Sequence, residues 1–332
     1  MHALQQVHAD DLHPHPLRSH RSTGRPRTLT AMRPSDPEVT YRYVRVSLVA
    51  LAVFLLVSLG ITWWQSCPQG SISAFFYTRT HTVFVAALAA MGVCLIAYKG
   101  SRIGEDALLN FSGFMAFVVA LIPADAEGLC RPWLPTEADP FGAVANNITA
   151  LFVATAAGAA LYLGLQHRRR EQPHPTASPR ACAEAATPWK HVATVLLSIE
   201  KWLPAGLLVV AFLGAFLMLW DWFAVRAHAF AASAMFLAIT LVAVYHACYA
   251  RAAVRPHRAR FYATIAALML ATVVLSVVFL FAHVPYGVLT VEIVLIVLFG
   301  IFWGVQTWDV WDFDDRYPAA AVPTLADPTP AA

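Results

Sequence analysis

The sequence predicts an all-α membrane protein, a polytopic bundle of about eight transmembrane helices. Three observations favour this class. Hydrophobic residues make up 58% of the 332 residues and charged residues only 13%, roughly half the charged share of ordinary soluble domains. The apolar residues form long runs with few charges, as transmembrane helices require. Nearly all lysines and arginines fall on one side of the topology that these runs imply.

Four apolar runs precede a polar linker in the middle of the chain. A run of about 17 residues or more can cross a hydrocarbon layer about 30 Å thick. The four runs lie at 46–64, 82–98, 107–124 and 144–165. Polar residues separate them, so we expect the chain to cross the membrane at each run.

The next apolar run, 203–250, is too long for one span. As a single helix it would measure about 70 Å at about 1.5 Å per residue, more than twice the thickness of the hydrocarbon layer. The run must therefore fold back, and the polar segment 220–228 is the predicted turn. This gives a fifth and a sixth span, and two further runs follow; these four spans lie at 203–219, 229–248, 261–281 and 287–303.

The placement of basic residues predicts the orientation. Of the 23 lysines and arginines, all but Arg79, Arg131 and Arg226 lie on the side that holds both termini. Cytoplasmic loops carry this excess, so we expect cytoplasmic N and C termini in a bacterial inner membrane. The basic loops would attract anionic lipid headgroups. The expected partner is the lipid bilayer, and no nucleic acid is expected.

The spans divide the chain into two sets of four. Residues 1–40 predict a disordered cytoplasmic tail without a cleaved signal peptide. The first half is then 41–166, a cytoplasmic linker 167–190, the second half 191–308 and a cytoplasmic tail 309–332. A shift of 147 residues aligns His81 with His228 and Tyr98 with Tyr245, so duplication of a four-helix half is a hypothesis.

Two of the five cysteines, Cys67 and Cys130, lie on the predicted outer side. Thiols in oxidising surroundings tend to pair, which predicts a disulfide between the loops after the first and third spans. Two free thiols are the alternative, because pairing needs Cα atoms within about 7 Å.

Ionisable residues inside a membrane are costly and often functional. Glu105, Asp106 and His246 lie at the inner level. Seven others lie at the outer level and form the candidate polar cluster: Arg79, His81, Asp221, Arg226, His228, His283 and Glu292.

The outer cluster has three interpretations. The arginines can neutralise the carboxylates in a purely structural role. Three histidines and a carboxylate can instead bind zinc and activate water, although the histidines lack a metal-binding motif such as HxxxH. Glu292 and a histidine can also form a proton relay in a transporter. No catalytic residue is assigned, and no cofactor is expected apart from zinc under the second interpretation.

Residues 71–84 carry a family resemblance. Ser71-Ile72-Ser73, an aromatic cluster and Val83-Phe84 lead into a helix that contains Gly92. This pattern resembles the first outer loop and second helix of the Frag1/DRAM/Sfk1 and DUF998 membrane proteins, which usually have six or so spans. The resemblance implies signalling or lipid handling at the membrane without a defined active site.

We therefore expect a non-enzymatic role in membrane or envelope organisation. A metal-dependent hydrolase of lipid amides or esters is the first alternative, and a proton-coupled transporter of small molecules is the second.

Overall fold

The structure is a computed structural model that describes residues 36–122, 129–132, 187–218, 220–224, 226–253, 255–309 and 311, with isolated residues between 149 and 160. Every regular element in these residues is a helix. Most of the predicted fourth span, the N-terminal tail up to residue 35, most of the linker and the tail beyond residue 311 lie outside the described residues.

Nine α-helices and one short 3₁₀ helix have printed bounds within the described part of the chain. In chain order they are α1 (Asp36–Gln65), the 3₁₀ helix (Ser73–Tyr77), α2 (His81–Ala97), α3 (Ile103–Leu121), α4 (Thr187–Ile199), α5 (Leu203–Leu217), α6 (Asp221–Ala224), α7 (Ala227–Ala252), α8 (Pro256–Phe281) and α9 (Gly287–Asp309).

Six of these helices pack side by side into a closed ring. Along the ring, α1 contacts α2, α2 contacts α3, and α3 contacts α7; α7 then contacts α8, α8 contacts α9, and α9 returns to α1. The ring thus takes three helices from each predicted half. Helix α5 packs outside the ring against α3, and none of its residues is buried.

Five of the ring helices are long and apolar enough to cross a membrane: α1, α3, α7, α8 and α9. The sixth, α2, is a shorter apolar helix, as is α5 outside the ring. The chain is accordingly a multi-pass membrane protein with a helical bundle, as the sequence predicts. The total of eight spans stays a prediction, because the described residues contain five candidate spans.

The turns between the helices follow the sequence. The long apolar run folds back through the short helix α6, where the polar segment predicts the turn. Pro256 begins α8, a position that suits proline because the first helical N–H has no partner within the helix.

Two glycines allow α2 and α3 to pack closely. A Cβ atom on Gly92 would lie 2.8 Å from the carbonyl oxygen of Gly113, and one on Gly113 would lie 2.6 Å from the carbonyl oxygen of Gly92. Small residues commonly allow such close contact between helix backbones in membranes. The contact fixes the two helices against each other in the ring.

The ring has two ends. At one of them, called the cap end, lie the 3₁₀ helix and the starts of α2, α7 and α9. The start of α3 and the ends of α2, α7 and α9 lie at the opposite end. Large aromatic side chains fill the ring near the opposite end, where Tyr98 and Trp303 are fully buried and their rings meet edge to face at 5.0 Å.

Candidate functional site

Residues 67–80, called the cap, cover one end of the ring. A disulfide joins Cys67 to Cys130, with the Cα atoms 6.2 Å apart. Beside it, the Gln69 side chain donates to the Cys130 carbonyl at 2.7 Å and accepts from the Cys130 N–H at 3.0 Å. The predicted disulfide is confirmed, and it holds the start of the cap against the segment at Cys130.

Local side-chain hydrogen bonds shape the 3₁₀ helix of the cap. The Ser71 hydroxyl accepts from the Ala74 N–H at 3.1 Å, and the Thr78 hydroxyl donates to the Phe75 carbonyl at 2.7 Å. Serine and threonine side chains readily make such bonds to a nearby backbone and favour short turns. Four of the five residues of this helix are buried, so the turn packs into the ring.

The cap is bonded to α9 through Glu292. The Ile72 N–H donates to Glu292 Oε2 at 2.6 Å, and the Leu289 N–H donates to the Gly70 carbonyl at 3.1 Å. An unpaired buried N–H group would cost free energy. The carboxyl group therefore satisfies a backbone donor of the cap, which explains its place in an apolar helix.

A second set of bonds joins the cap to α7 and α3 through His228. Ser73 Oγ forms a short hydrogen bond with His228 Nε2, and His228 Nδ1 lies 2.5 Å from the carbonyl oxygen of Ile122. The Ser73 and His228 side chains are both buried. The histidine thus connects three separate segments of the chain at the cap end.

Hydroxyl groups join the cap to α1. Thr80 is fully buried, and its hydroxyl lies 2.8 Å from the Thr62 hydroxyl. The Ser58 hydroxyl donates to the Thr80 hydroxyl at 3.4 Å. His81 turns back onto the cap and bonds the Phe76 carbonyl through Nδ1 at 2.8 Å. The cap is therefore bonded to several helices of the ring.

A cavity of about 50 Å³ lies inside the ring beneath the cap. A site of about 10–15 Å³ already holds one water molecule, so this space is several times larger than a water site. Its lining is apolar apart from Ser73 and Glu292, both of which come from the cap end. The remaining lining residues are Leu55, Ile72, Phe84, Leu88, Met91, Leu95, Ala116, Val119, Ala232, Met235, Phe236, Ile239, Ile296 and Phe299.

Three of the seven candidate residues bond to the cap: His81, His228 and Glu292. Arg226 is exposed and donates to the Trp222 carbonyl at 2.7 Å. The structure thus gathers part of the candidate cluster, and the gathered residues contact cap atoms.

Two of the other three candidates, Arg79 and His283, are exposed, and Arg79 lies in the cap itself. Asp221 begins α6, but its side chain is not among those described. Within the described residues, no group of three or more His, Cys, Asp or Glu side chains is arranged to hold a metal ion.

Sequence reasoning missed Ser73, because a serine before an aromatic pair gives no chemical signal by itself. It also missed the backbone groups of Ile72 and Ile122 that bond Glu292 and His228. A backbone partner has no signature in the sequence and is visible only in the fold.

A buried polar network closes the opposite end of the ring around Glu105. This carboxyl group accepts from the Ser101 N–H at 2.7 Å and from the Tyr249 hydroxyl at 3.0 Å, and it lies 3.2 Å from His246 Nε2. Glu105 and His246 are both fully buried. Two of the three inner-level residues that the sequence singled out, Glu105 and His246, are therefore partners that join α3 to α7.

A bidentate ion pair lies next to this network. Arg102 Nε donates to Glu200 at 2.9 Å and 3.1 Å, and Arg102 Nη2 donates to Glu200 Oε2 at 2.5 Å. Burial lowers the pKa of Arg102, but the hydrogen bond and negative charge of Glu200 outweigh this effect and raise it overall. Because Glu200 directly follows α4 and Arg102 directly precedes α3, the pair joins these two helix ends.

Helices α2, α8 and α9 are also bonded at this end. The Gln306 amide donates to the Tyr98 hydroxyl at 2.6 Å. Asp309 accepts from the Tyr262 hydroxyl at 2.6 Å and pairs with Arg258 at 2.9 Å. Side-chain bonds thus join the helices at both ends of the ring.

No protein-family model, curated protein or solved structure matches this chain.

Proposed function

We propose that this protein is an eight-span protein of a bacterial inner membrane that organises the membrane or envelope and does not move a solute through its centre. The observation that carries this proposal is the closed ring of six helices, whose cavity is lined by apolar side chains apart from Ser73 and Glu292. Side-chain bonds join the helices at both ends of the ring. Such a ring suits a rigid body that presents its outer faces to lipid or to other membrane proteins.

The interior argues against a solute pathway. A polar solute needs polar partners along its route, because desolvation in an apolar channel is costly. The cavity has polar lining only from Ser73 and Glu292 at the cap end. Further along the ring it is lined by side chains such as Met91 and Leu95. The lining thus favours a scaffold over a proton-coupled transporter.

The charges and the disulfide support the proposed orientation. The cap end holds the Cys67–Cys130 disulfide, and disulfides persist outside the reducing cytoplasm. The opposite end holds basic residues such as Arg102 and Arg258, which suit the cytoplasmic side. Exposed cations there would also attract anionic lipid headgroups.

The family resemblance adds a second line of support. Proteins of the Frag1/DRAM/Sfk1 kind usually have six or so spans, and the ring contains six helices. On this view α5, which packs outside the ring, is an addition to a six-helix core. The role implied by the resemblance is lipid handling or signalling at the membrane.

Deletion of the gene tests this proposal. We expect the deletion to increase entry of a membrane-impermeant dye into the cells, and a plasmid copy to restore the barrier. The purified protein in vesicles should show no saturable uptake of a solute under a proton gradient. An unchanged barrier together with such uptake would contradict the proposal.

A further inference from the structure

Ser73 and His228 are arranged as a nucleophile and its base. A carbonyl oxygen can only accept a hydrogen bond, so the nitrogen facing Ile122, His228 Nδ1, must carry a proton. In the neutral ring Nε2 then has a free lone pair, and that lone pair faces Ser73 Oγ. The serine hydroxyl therefore donates to the histidine, which is the arrangement that activates a serine.

The dyad lies beside the cavity. Ser73 is among the cavity-lining residues, and its side chain is buried away from bulk solvent. The Ile122 carbonyl holds the imidazole in one tautomer and one orientation, a part played by a carboxylate in the Ser-His-Asp triad. A neutral carbonyl stabilises an imidazolium less than a carboxylate does, so a slow reaction is expected.

The geometry points to an acyl-transfer site, in which Ser73 is the nucleophile and His228 the general base for carboxylic esters with a short apolar acyl group. The small size of the cavity sets the acyl length. A cavity of about 150 Å³ holds a benzene molecule, whereas this one measures about 50 Å³. The inference goes beyond the proposed function, which requires no chemical step.

The reaction balances with water as the only co-substrate. Ser73 Oγ attacks the ester carbonyl as its proton passes to His228 Nε2. The bond between the carbonyl carbon and the alcohol oxygen then breaks, and His228 returns the proton to the leaving alcohol. Water attacks the acyl-serine with His228 again as base, which releases the carboxylic acid and restores the Ser73 hydroxyl.

Labelling with a fluorophosphonate probe, which reacts with activated serines, tests this assignment. The purified full-length protein in lipid nanodiscs is treated with the probe, and the modified residue is located by peptide mass spectrometry. We expect modification at Ser73 in the wild type and none in Ser73→Ala. In His228→Ala the labelling of Ser73 should be at least about 10²-fold slower, because a general base usually contributes that much or more.

Two exposed residues away from the dyad provide controls. Ser198→Ala removes an exposed serine of α4, and His191→Ala removes an exposed histidine of the same helix. Both variants should label at the rate of the wild type. Ser73→Cys keeps a nucleophile at the site and should form a thioester with p-nitrophenyl butyrate faster than with the dodecanoate, even if Ser73→Ala folds poorly. An unlabelled wild type, or a wild type that is labelled at another serine, would overturn the assignment.

Discussion

Single residues explain why charged groups occur inside this apolar bundle. The high cost of an ionisable group in a membrane made Glu292, His228, Glu105 and His246 identifiable from the sequence alone. Their roles were not, because the partners are distant in sequence or belong to the backbone. Glu292, for example, bonds the N–H of Ile72, which lies 220 positions away. Sequence could indicate the residues but not the bonds.

Glu105→Ala tests the buried network at the opposite end. Loss of the carboxyl group leaves the Tyr249 hydroxyl and the Ser101 N–H without their acceptor. We expect a destabilisation on the order of 3 kcal/mol, as for other buried pairs that lose one member. Thermal unfolding in detergent measures it.

The adjacent Asp106 provides the control for this experiment. Asp106 pairs at 3.0 Å with Lys99, whose side chain is 61% exposed, and it accepts from the Gly100 N–H at 3.0 Å. An exposed pair contributes about 0–1 kcal/mol and a hydrogen bond about 0.5–1.5 kcal/mol, so Asp106→Ala should destabilise the protein less than Glu105→Ala. Equal losses in the two variants would mean that burial of the Glu105 network does not determine its contribution.

Helices and loops follow the sequence where a local rule governs them. Five of the predicted apolar runs correspond to the five candidate spans in the described residues. The polar segment 220–228 contains the short helix α6, where the chain turns between α5 and α7. The close contact of α2 with α3 was not predictable, because it depends on Gly92 and Gly113 facing each other across two helices. Sequence spacing cannot show that pairing.

Gly92→Ala tests the contact between α2 and α3. The added methyl group would lie 2.8 Å from the Gly113 carbonyl oxygen and 3.0 Å from the Phe117 ring, so one helix must shift. Overpacking of this kind costs about 1–3 kcal/mol, which thermal unfolding in detergent should detect. In the control Gly60→Ala, the added methyl group in α1 would have no neighbour within 4 Å. Because alanine is the better helix former, this variant should be about 0.5–1 kcal/mol more stable than the wild type. A stabilised Gly92→Ala would contradict the close packing.

Reduction of the disulfide tests the attachment of the cap. The bond closes a sequence separation of 63 residues, and disulfides of this kind typically contribute about 2–4 kcal/mol. We expect a reductant to lower the unfolding temperature of the wild type by several degrees. The double variant Cys67→Ala/Cys130→Ala should unfold at that lower temperature and should not respond to the reductant. An equal response in both proteins would show that the reductant acts elsewhere.

The whole molecule could be predicted only in outline. The sequence correctly indicated a helical membrane bundle, because long apolar runs admit few other structures. The order of helices around the ring was out of reach. Helices such as α2 and α9 are apolar on nearly all sides, so no polar face marks which side meets a neighbour. Contact between α1 and α9, the most distant pair in sequence, closes the ring and has no local signal.

The proposed orientation puts the cap end of the ring outside the cell, and labelling of single cysteines tests it most directly. In a protein with Cys94, Cys182 and Cys248 replaced by alanine, Ala282→Cys adds an exposed thiol at the cap end. Lys201→Cys adds an exposed thiol at the opposite end in the same background. Intact spheroplasts are treated with a membrane-impermeant maleimide and compared with lysed ones.

We expect labelling of Ala282→Cys in intact and in lysed spheroplasts, and labelling of Lys201→Cys only after lysis. Labelling of Lys201→Cys in intact spheroplasts, with protection of Ala282→Cys, would place the cap inside the cell and rule out the proposed orientation.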